Sequence, residues 1–453
     1  MMLTMKDVLA ATGGKLTFEG ASSGFSGIST DSRRIKAGEL FIPVVGKRFD
    51  GHKFIAAALK NGAAGALISK SAKFDTKGKA IIKVKDTLAA FHNIALAHRH
   101  KFRHPIIGIT GSSGKTTTKD MLASILSKAG KTLKTEENFN NEIGVPQTLL
   151  KLNKSFRFAV IEMAMQGLGE IEELARMSRP NIAVITNIGI AHFSRLKSED
   201  NIARAKSELL KFQKKKDIAV LPADDKYFNL LKKRSRSRII SFGIDGEADV
   251  KARGIEYGSD FSSFILETDK FSVSIDLPLP GKHNIYDALA AAAAAYALDI
   301  KPGLIKKGLE SFKLSGKRLN IIAAKHFRII DDTYNANPDS MAASLNILEN
   351  YPGRRIAVLG DMLELGAIAR KSHENIGELA ANLNIDVLIT VGKLGEFIAS
   401  SAKKHGMAVV HSKRTTGEAL KLLKKISRPD DTILVKGSRG MHMEKIVEIM
   451  ANN

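Results

Sequence analysis

A glycine-rich loop carries the chemistry that can be inferred first from this sequence. It is Gly108-Ile109-Thr110-Gly111-Ser112-Ser113-Gly114-Lys115-Thr116-Thr117, between an apolar run typical of a strand and a helical pattern over 119–128. In such a loop, glycines let backbone amides turn toward phosphate oxygens at the start of a helix. Lys115 is predicted to reach the β- and γ-phosphates of a nucleotide, and the Thr116 hydroxyl to bind Mg²⁺. The pattern is a shorter variant, because Ile109 stands where the usual first glycine would be.

Two residues near strand ends could complete a metal site. Glu162 follows the apolar run 158–161, and His192 follows the run 182–185 through a short segment. Ligands of open α/β sheets bind at the carboxyl ends of the strands. A carboxylate, an imidazole and phosphate oxygens suit Mg²⁺ or Mn²⁺, so Thr116, Glu162 and His192 are predicted metal ligands. Taken singly, Glu162 could equally be an exposed loop acid, and His192 a polar group of the core.

Lys206 lies on a helical pattern, Ala205-Lys206-Ser207-Glu208. The residue pattern indicates a lysine on the surface or facing a phosphate, and by itself assigns no special role.

The elements that must position these residues follow an α/β pattern. Short β-branched runs at 158–161, 182–185, 356–359, 387–390 and 433–435 alternate with helical patterns, which predicts doubly wound parallel sheets. The alanine-rich stretch 288–297 predicts a tightly packed helix. The patterns in the first ~100 residues predict a smaller mixed α/β unit, but they do not predict its topology.

Length and two polar boundaries predict three domains. At roughly 150 residues per domain, 453 residues suggest about three. The boundaries lie near 100–105 and 315–317, giving domains over 1–104, 105–316 and 317–453.

Composition excludes several classes of protein. The chain is 44% hydrophobic and 26% charged, as in a globular protein. Because it has no cysteine, it can form neither a disulfide nor a Cys-based zinc site, and it lacks a thiol nucleophile. No apolar stretch reaches the ~18 residues of a spanning helix, so membrane insertion is not expected. The amino terminus does not resemble a signal peptide, and a cytoplasmic location is predicted.

The charge balance raises the question of a polyanionic partner. The chain has 70 Lys and Arg against 47 Asp and Glu, a net charge of +23. The basic runs 214–216 and 232–238 have no interleaved aromatic residues, which single-stranded nucleic acids need for stacking. These runs are therefore predicted to be solvated surface, and no nucleic-acid partner is expected.

Several blocks, in order along nearly the whole chain, resemble the ATP-dependent Mur ligases of peptidoglycan synthesis. The family blocks are 110–118, Glu162, Asn187-Ile188-Gly189-x-Ala191-His192, Lys206-x-Glu208 and Gly281-x-His283-Asn284. The segments 138–146, 331–341 and 359–366 are similar to the branch that adds D-alanyl-D-alanine to a UDP-N-acetylmuramoyl-tripeptide. Ser29-Thr30-Asp31-Ser32-Arg33 and Phe49-Asp50-Gly51-His52 are similar to the family's UDP-binding domain.

The resemblance implies an architecture and a reaction. The fold would be α/β with a mixed N-terminal domain for the UDP-sugar peptide, a central P-loop-type parallel-sheet ATPase domain, and a Rossmann-like C-terminal domain that closes over both. The tripeptide carboxylate would attack the γ-phosphate of ATP, and D-alanyl-D-alanine would attack the resulting acyl phosphate. The required groups are ATP and two Mg²⁺ ions, with Mn²⁺ as the alternative metal, and a monomer suffices.

The resemblance also implies residue roles. Lys115, Glu162, His192 and Lys206 would be catalytic, with Lys206 carbamylated so that it orients the second Mg²⁺. Nucleotide contacts would come from 111–117, Asn284, Arg318 and Asp332. The residues expected to bind the peptide substrates are Ser29, Asp31, Ser32, Arg33, Asn138, Asn140, Asn141, Asn335, Asn337 and Lys436.

Two alternatives remain open at this point. One is a sister Mur ligase or a folylpolyglutamate-type amide ligase. The other is a basic P-loop ATPase acting on nucleic acid, whose hydrolysis would depend steeply on salt. The third residue of the tripeptide, lysine or diaminopimelate, is left open as well.

Overall fold

The computed structural model describes residues 3–46, 49–70, 75–76, 78–314, 316 and 319–452. The chain forms two compact units. The first comprises Met1–Gly108, Gly130–Met163 and Glu172–Asn181, and the second comprises Ile109–Ala129, Ala164–Ile171 and Ile182–Asn453. The predicted boundaries at 104 and 316 do not coincide with this division, and they stay a prediction.

The elements before residue 105 are mostly short. They are β1 (Leu3–Thr4), α1 (Met5–Thr12), β2 (Lys15–Phe18), β3 (Gly24–Phe25), β4 (Ile28–Ser29), β5 (Leu40–Phe41), β6 (Val45–Gly46), β7 (Phe49–Asp50), α2 (Ile55–Lys60), β8 (Gly65–Ile68), β9 (Ala80–Lys83) and α3 (Thr87–His100). One sheet has the order β2-β9-β8-β5-β4, parallel except for the β2–β9 pair. Phe41, Ile55 and Ile81 lie in its core.

The elements from 105 to 314 alternate between strands and helices. They are β10 (Ile106–Thr110), α4 (Lys115–Ser127), β11 (Thr132–Lys134), α5 (Gly144–Leu150), β12 (Phe158–Glu162), α6 (Glu170–Ser178), β13 (Ile182–Ile185), α7 (Phe193–Leu196), α8 (Glu199–Ser207), β14 (Ile218–Pro222), α9 (Phe228–Arg234), β15 (Arg238–Gly243), β16 (Val250–Tyr257), β17 (Ser262–Glu267), β18 (Ser272–Leu277), α10 (Lys282–Tyr296) and α11 (Pro302–Glu310).

In the second unit, the neighbouring strands β13, β14 and β15 are parallel, as the sequence predicts. Their carboxyl ends therefore lie on one edge of the sheet. β16 joins β15 in parallel, and the pairs β16–β17 and β17–β18 are antiparallel, an extension that was not predicted from the sequence. The alanines of α10 are buried and the helix packs against α4, so the predicted tight packing of this helix is confirmed.

The elements after residue 318 form a further α/β layer arrangement. They are β19 (Asn320–Ala323), β20 (Arg328–Asp332), α12 (Pro338–Glu349), β21 (Arg355–Gly360), α13 (Ala369–Asn382), β22 (Val387–Val391), α14 (Gly395–Lys404), β23 (Val410–Lys413), α15 (Thr416–Ile426), β24 (Thr432–Lys436) and α16 (Glu444–Met450). The sheet order is β19-β20-β24-β21-β22-β23, parallel from β20 onward. Apolar clusters cover both of its faces, so the predicted doubly wound α/β class is confirmed.

Candidate active site

The loop between β10 and α4 has the backbone of a phosphate-binding loop. Gly114 precedes α4 with φ of +77°, a left-handed conformation that favours glycine. A Cβ at Gly114 would overlap Asp287 Oδ1, and a Cβ at Gly111 would overlap Thr186 Oγ1. Only glycine fits at both positions. The first turn of α4 therefore presents its amide groups to a narrow cradle, which suits a phosphate group.

The loop is held in place by the segment that follows β13. Asn187 Oδ1 accepts hydrogen bonds from the amides of Ser112, at 3.1 Å, and Ser113, at 3.0 Å. Thr186 Oγ1 donates to Ser113 O at 2.6 Å, and Ser112 Oγ donates to Gly189 O at 2.7 Å. The shape of the loop is therefore fixed largely by partners outside it. Asn187 belongs to one of the family blocks, but its role in holding the loop was not predicted from the sequence.

Lys115 lies at the first position of α4 and bends back over the loop. Its Nζ donates to Gly111 O at 2.8 Å and to Ser112 O at 3.2 Å. Thr116 and Thr117 are buried beside it, with 5% and 8% of their surface exposed. The structure therefore brings the predicted loop residues 111–117 together in one cradle.

Lys206 is not a surface lysine, so that part of the sequence interpretation is wrong. It is 2% exposed near the end of α8. Burial lowers its pKa well below the usual lysine value, and the positive charge of Lys115 lowers it further. Among the residues that the structure describes, no carboxylate offsets these effects. The missed signal was the spacing of Ile202, Lys206 and Leu209, which places a lysine on the apolar face of the helix.

His192 lies between these cations and an acid from the C-terminal part of the chain. Its φ is +55°, and its Nδ1 is 2.7 Å from Glu364 Oε2. Burial lowers the pKa of His192; the Lys115 charge lowers it further and the Glu364 carboxylate opposes the shift. Lys206 also lowers this pKa, so the charges of Lys115 and Lys206 both act at His192.

Glu162 belongs to the first unit and is the last residue of β12. It is 1% exposed, its backbone N donates to Thr135 Oγ1 at 3.0 Å, and its Oε1 accepts from Asn140 Nδ2 at 2.8 Å. The structure therefore brings Glu162 together with Asn140, one of the predicted substrate-binding residues.

A cavity of about 860 Å³ in the first unit is lined in part by predicted substrate-binding residues. Ser29, Asp31, Asn138 and Asn141 are in its lining, which comes from residues 27–39 and 138–153. The lining also includes cationic and amide side chains that sequence reasoning missed, namely Arg34, Lys36, Gln147 and Lys151. Gln147 Nε2 donates to Thr30 Oγ1 at 3.0 Å and links the two segments.

Three other predicted substrate-binding residues of the first unit lie outside this lining. Asn140 contacts Glu162 instead. Ser32 is 8% exposed, and its carbonyl accepts from Asn61. The Arg33 side chain is 86% exposed and pairs with Asp31 at 2.9 Å. Hydrogen bonds from Arg33 lower the pKa of Asp31 to about 2.

Asp332 and Lys436 form a buried ion pair between the adjacent strands β20 and β24. Ser344 Oγ donates to Asp332 Oδ2 at 2.7 Å, and Lys436 Nζ donates to Asn335 O at 3.1 Å. Both charges also act on His283, whose pKa burial lowers to about 4.

This pair supports a stability prediction. We expect Lys436→Met to lower the free energy of unfolding by about 3 kcal/mol, because it leaves the Asp332 charge buried without this partner. The double variant Asp332→Asn/Lys436→Met should recover much of that loss. Urea denaturation followed by circular dichroism measures both variants, and equal midpoints for Lys436→Met and the unmodified chain would contradict the prediction.

The amino end of α12 contacts the phosphate loop within the second unit. Asn337 caps the helix by accepting from Ser340 N at 2.8 Å, while its Nδ2 donates to Ser113 Oγ at 3.2 Å. Asp339 Oδ2 accepts from Ile190 N at 3.1 Å. The structure thus places Asn337 beside the predicted nucleotide site, although the resemblance had implied a substrate contact.

The other nucleotide contacts implied by the resemblance, Asn284, Arg318 and Asp332, stay predictions. Asn284 is 1% exposed, and its Nδ2 donates to Pro280 O at 2.7 Å. Arg318 lies outside the described residues. Over the described part of the chain, no cluster of three or more His, Asp or Glu side chains could hold a metal ion, and no helix is long and apolar enough to cross a membrane.

Family models match most of the chain. The Mur ligase family catalytic domain matches residues 24–102, the Mur ligase middle domain matches 109–295, and the Mur ligase glutamate ligase domain matches 317–439.

Individual relatives match over nearly the full length. The UDP-N-acetylmuramoyl-tripeptide--D-alanyl-D-alanine ligase of Bacillus subtilis is 37% identical over 426 residues, 93% of this chain and 92% of that protein. A crystal structure of MurF from Acinetobacter baumannii matches with a TM-score of 0.94 at 34% identity, covering 100% and 99% of the two chains. MurF ligase from Thermotoga maritima in complex with ADP matches with a TM-score of 0.82 at 27% identity, covering 94% and 97%.

Proposed function

The chain belongs to the Mur ligase family, and we propose that it joins D-alanyl-D-alanine to the terminal carboxylate of UDP-N-acetylmuramoyl-tripeptide, with conversion of ATP to ADP and phosphate. The products are then UDP-N-acetylmuramoyl-pentapeptide, ADP and phosphate. The observation that carries the proposal is the phosphate cradle at 111–117, set in a chain that matches ligases of this specificity almost from end to end.

The reaction needs ATP because a carboxylate is a poor acylating agent. In the first step, a carboxylate oxygen of the tripeptide attacks the γ-phosphorus, the bond to ADP breaks, and an acyl phosphate forms. In the second step, the amine of D-alanyl-D-alanine attacks the acyl carbon, and phosphate leaves as the amine loses a proton. Dividing one difficult substitution into two easier ones follows the logic of covalent catalysis.

The residues of the cradle would act on the phosphoryl group. Phosphoryl transfer depends mainly on positioning and on stabilisation of charge. The amides in the first turn of α4 and the Lys115 ammonium would stabilise the negative charge that moves to ADP in the first step. Asn187 and Thr186 hold the loop, so the cradle needs little rearrangement to receive phosphate.

Mg²⁺ fits the chemistry of the predicted ligands. As predicted ligands, Thr116 would supply a hydroxyl, Glu162 a carboxylate and His192 an imidazole, and Mg²⁺ commonly completes its shell with phosphate oxygens and water. When bound, Mg²⁺ would neutralise part of the phosphate charge. Mn²⁺ would suit the same ligands.

Carbamylation would account for the burial of Lys206. A charged ammonium at 2% exposure is costly, and the lowered pKa keeps the amine neutral more readily. A neutral amine can add to carbon dioxide, forming a carbamate and releasing a proton. An ammonium at Lys206 would repel the positive charge of Lys115, whereas the carbamate anion would attract it. The carbamate would also have oxygen atoms suited to Mg²⁺.

Release of phosphate tests the function. Purified chain with ATP and Mg²⁺ should release phosphate only when UDP-N-acetylmuramoyl-tripeptide and D-alanyl-D-alanine are both present. Single amino acids, including glutamate, serve as acceptors for the alternative ligases. Strong turnover with one of them and none with the dipeptide would overturn the assignment, and stimulation by nucleic acid would favour the P-loop ATPase alternative.

The cavity of the first unit supports a prediction about substrate affinity. We expect Arg34→Ala to raise the KM for the UDP-linked tripeptide about tenfold or more, because a charge-assisted hydrogen bond to an anionic substrate contributes about 1.5–3 kcal/mol. The kcat should change little if the interaction is equal in the ground and transition states. Steady-state kinetics measure both constants.

Arg33→Ala is the matched control. It removes the same charge from the adjacent position, where the side chain is 86% exposed and outside the cavity lining. A larger rise in KM for Arg33→Ala than for Arg34→Ala would contradict the prediction and favour the residue named from sequence.

A further inference from the structure

Two basic segments of the second unit form one surface at an edge of the sheet. The first, 214–216, precedes β14, and the second, 232–238, runs from the end of α9 to the first residue of β15. Because β14 and β15 are parallel neighbours, the segments before them lie at the same, amino-terminal edge. All the lysines and arginines in these two segments are exposed. We call this surface the basic edge.

Hydrogen bonds fix the two segments to each other. Ser237 Oγ donates to Gln213 Oε1 at 3.0 Å, and Arg238 N donates to Asp217 O at 3.2 Å. Gln213 is 5% exposed and its Nε2 donates to Ile218 O at 2.7 Å, which ties this junction to β14. The cations are therefore presented together from a defined backbone.

Few acids lie in the part of the chain that carries the basic edge. Within 211–238 the acidic residues are Asp217, Asp224 and Asp225. Asp217 is 8% exposed and accepts from Lys214 N at 2.6 Å, while Asp224 and Asp225 follow β14 and lie at the opposite end of that strand. Within the described part of the chain, the lysines of 214–216 and 232–233 form no ion pair. Elsewhere in the unit, by contrast, Lys282 pairs with Asp245 at 2.9 Å.

The proposed substrates do not account for this charge. The phosphate cradle is held by residues after the carboxyl end of β13, and Asp225, after the carboxyl end of β14, accepts from Ile188 N at 2.7 Å. The basic edge lies at the other end of β14, about 15 Å away for a strand of this length. A different anionic partner would explain why these charges are grouped.

We propose that the basic edge binds the chain reversibly to the surface of an anionic lipid bilayer. Clusters of lysine and arginine are attracted to anionic headgroups within a Debye length and need no defined pocket. Lysine predominates in the cluster, and its hydrated point charge suits such a diffuse surface better than the paired contacts that arginine makes. The aromatic residues of this region, Phe212, Tyr227 and Phe228, are partly buried and do not form an exposed stacking surface for nucleic-acid bases. This goes beyond the solvated surface predicted from sequence.

Vesicle flotation with the full chain tests the proposal. Vesicles of 70% phosphatidylcholine and 30% phosphatidylglycerol should bind the chain at 50 mM NaCl, with binding at least tenfold weaker at 300 mM NaCl and on pure phosphatidylcholine. The variant Lys214→Gln/Lys215→Gln/Lys216→Gln/Arg236→Gln should bind the anionic vesicles at least tenfold more weakly. Its phosphate release in solution should be unchanged, because the basic edge contributes no residue to the proposed site.

The control removes the same charge from α14 and α15, as Lys403→Gln/Lys404→Gln/Lys424→Gln/Lys425→Gln, where the four lysines are also exposed. It should bind anionic vesicles within about twofold of the unmodified chain if the basic edge dominates the attraction. Failure to bind anionic vesicles, or equal loss in both variants, would overturn the proposal. Tighter binding of a 20-base-pair DNA duplex through the same four residues would also overturn it, in favour of a nucleic-acid partner.

Discussion

Replacing Lys206 with alanine is expected to lower the rate of phosphate release by at least about a hundredfold, the effect of removing a group that stabilises charge in a reacting site. The side chain is buried near the Lys115 charge and has no described carboxylate partner, so alanine there breaks no ion pair with an acidic residue of the described chain. The folded chain should therefore lose little stability. Loss of activity without loss of stability separates a functional lysine from one that is needed for packing.

Chemical rescue and isotope labelling measure the carbamate. Formate or acetate should restore part of the turnover of Lys206→Ala, because a small carboxylate can occupy the space of the carbamate. With ¹³C-labelled bicarbonate, the unmodified chain should show a carbamate resonance that Lys206→Ala lacks. Wild-type turnover in Lys206→Ala would remove the carbamate from the proposal.

The exposed face of the same helix provides the control. Arg204 lies two residues before Lys206 on α8 and is exposed. Arg204→Ala should retain turnover within about twofold, since exposed substitutions away from a site have small effects. If Arg204→Ala were as inactive as Lys206→Ala, both losses would be attributed to damage to α8.

Because the pKa of Lys206 is lowered, its carbamylation should take place at lower pH than that of an ordinary lysine. Carbon dioxide adds to the neutral amine, and burial together with the Lys115 charge makes the neutral form available at lower pH than for a free lysine. After removal of carbon dioxide, reactivation by bicarbonate should therefore occur at a lower pH than carbamylation of an exposed lysine. Reactivation that required the same pH as carbamylation of an exposed lysine would contradict this prediction.

Local patterns explain what could be predicted from the sequence. The phosphate loop is contiguous, and its strand, glycines, lysine and helix follow one another within 106–127, so the chemistry was evident before the fold. The parallel strands were evident for the same reason, since strands buried on both faces are continuous apolar runs.

The antiparallel strands β16 to β18 were missed because their patterns are irregular. The register of β16 against β17 shifts between Arg253 and Glu256, and Gly254 has φ of +56°. Ile265 in β17 is 43% exposed, while Ser262 is buried. The alternation of apolar and polar residues that indicates a half-buried strand is therefore broken.

Contacts between distant parts of the chain could not be predicted in the same way. His192 and Glu364 are 172 residues apart, and Ser113 and Asn337 are 224 apart. Each residue belongs to a recognisable block, but no spacing indicates which blocks meet. Lys206 shows the related difficulty within one helix, because its role depends on which face of α8 is buried.

Replacing Lys115 with alanine is expected to lower phosphate release by about a thousandfold or more, as for the loss of a cationic group that stabilises phosphoryl transfer. The loop itself should persist. Its amides at 112 and 113 are held by Asn187, and the glycines at 111 and 114 fit their neighbours closely, so the cradle does not depend on the lysine side chain. Phosphate release and the urea midpoint are the two measurements.

Asn187→Ala is the comparison variant, because it should lower stability as well as activity. It removes the acceptor of two loop amides, so it should reduce activity, and it should lower the free energy of unfolding by about 1–3 kcal/mol because the amides are left unsatisfied.

Lys115→Ala should also raise the pKa of His192, because the Lys115 charge lowers it in the unmodified chain, and proton NMR of the imidazole measures this change. A Lys115→Ala chain with full turnover would exclude the lysine from phosphoryl transfer. A shift in His192 pKa without loss of turnover would place Lys115 beside the reacting groups but outside the reaction.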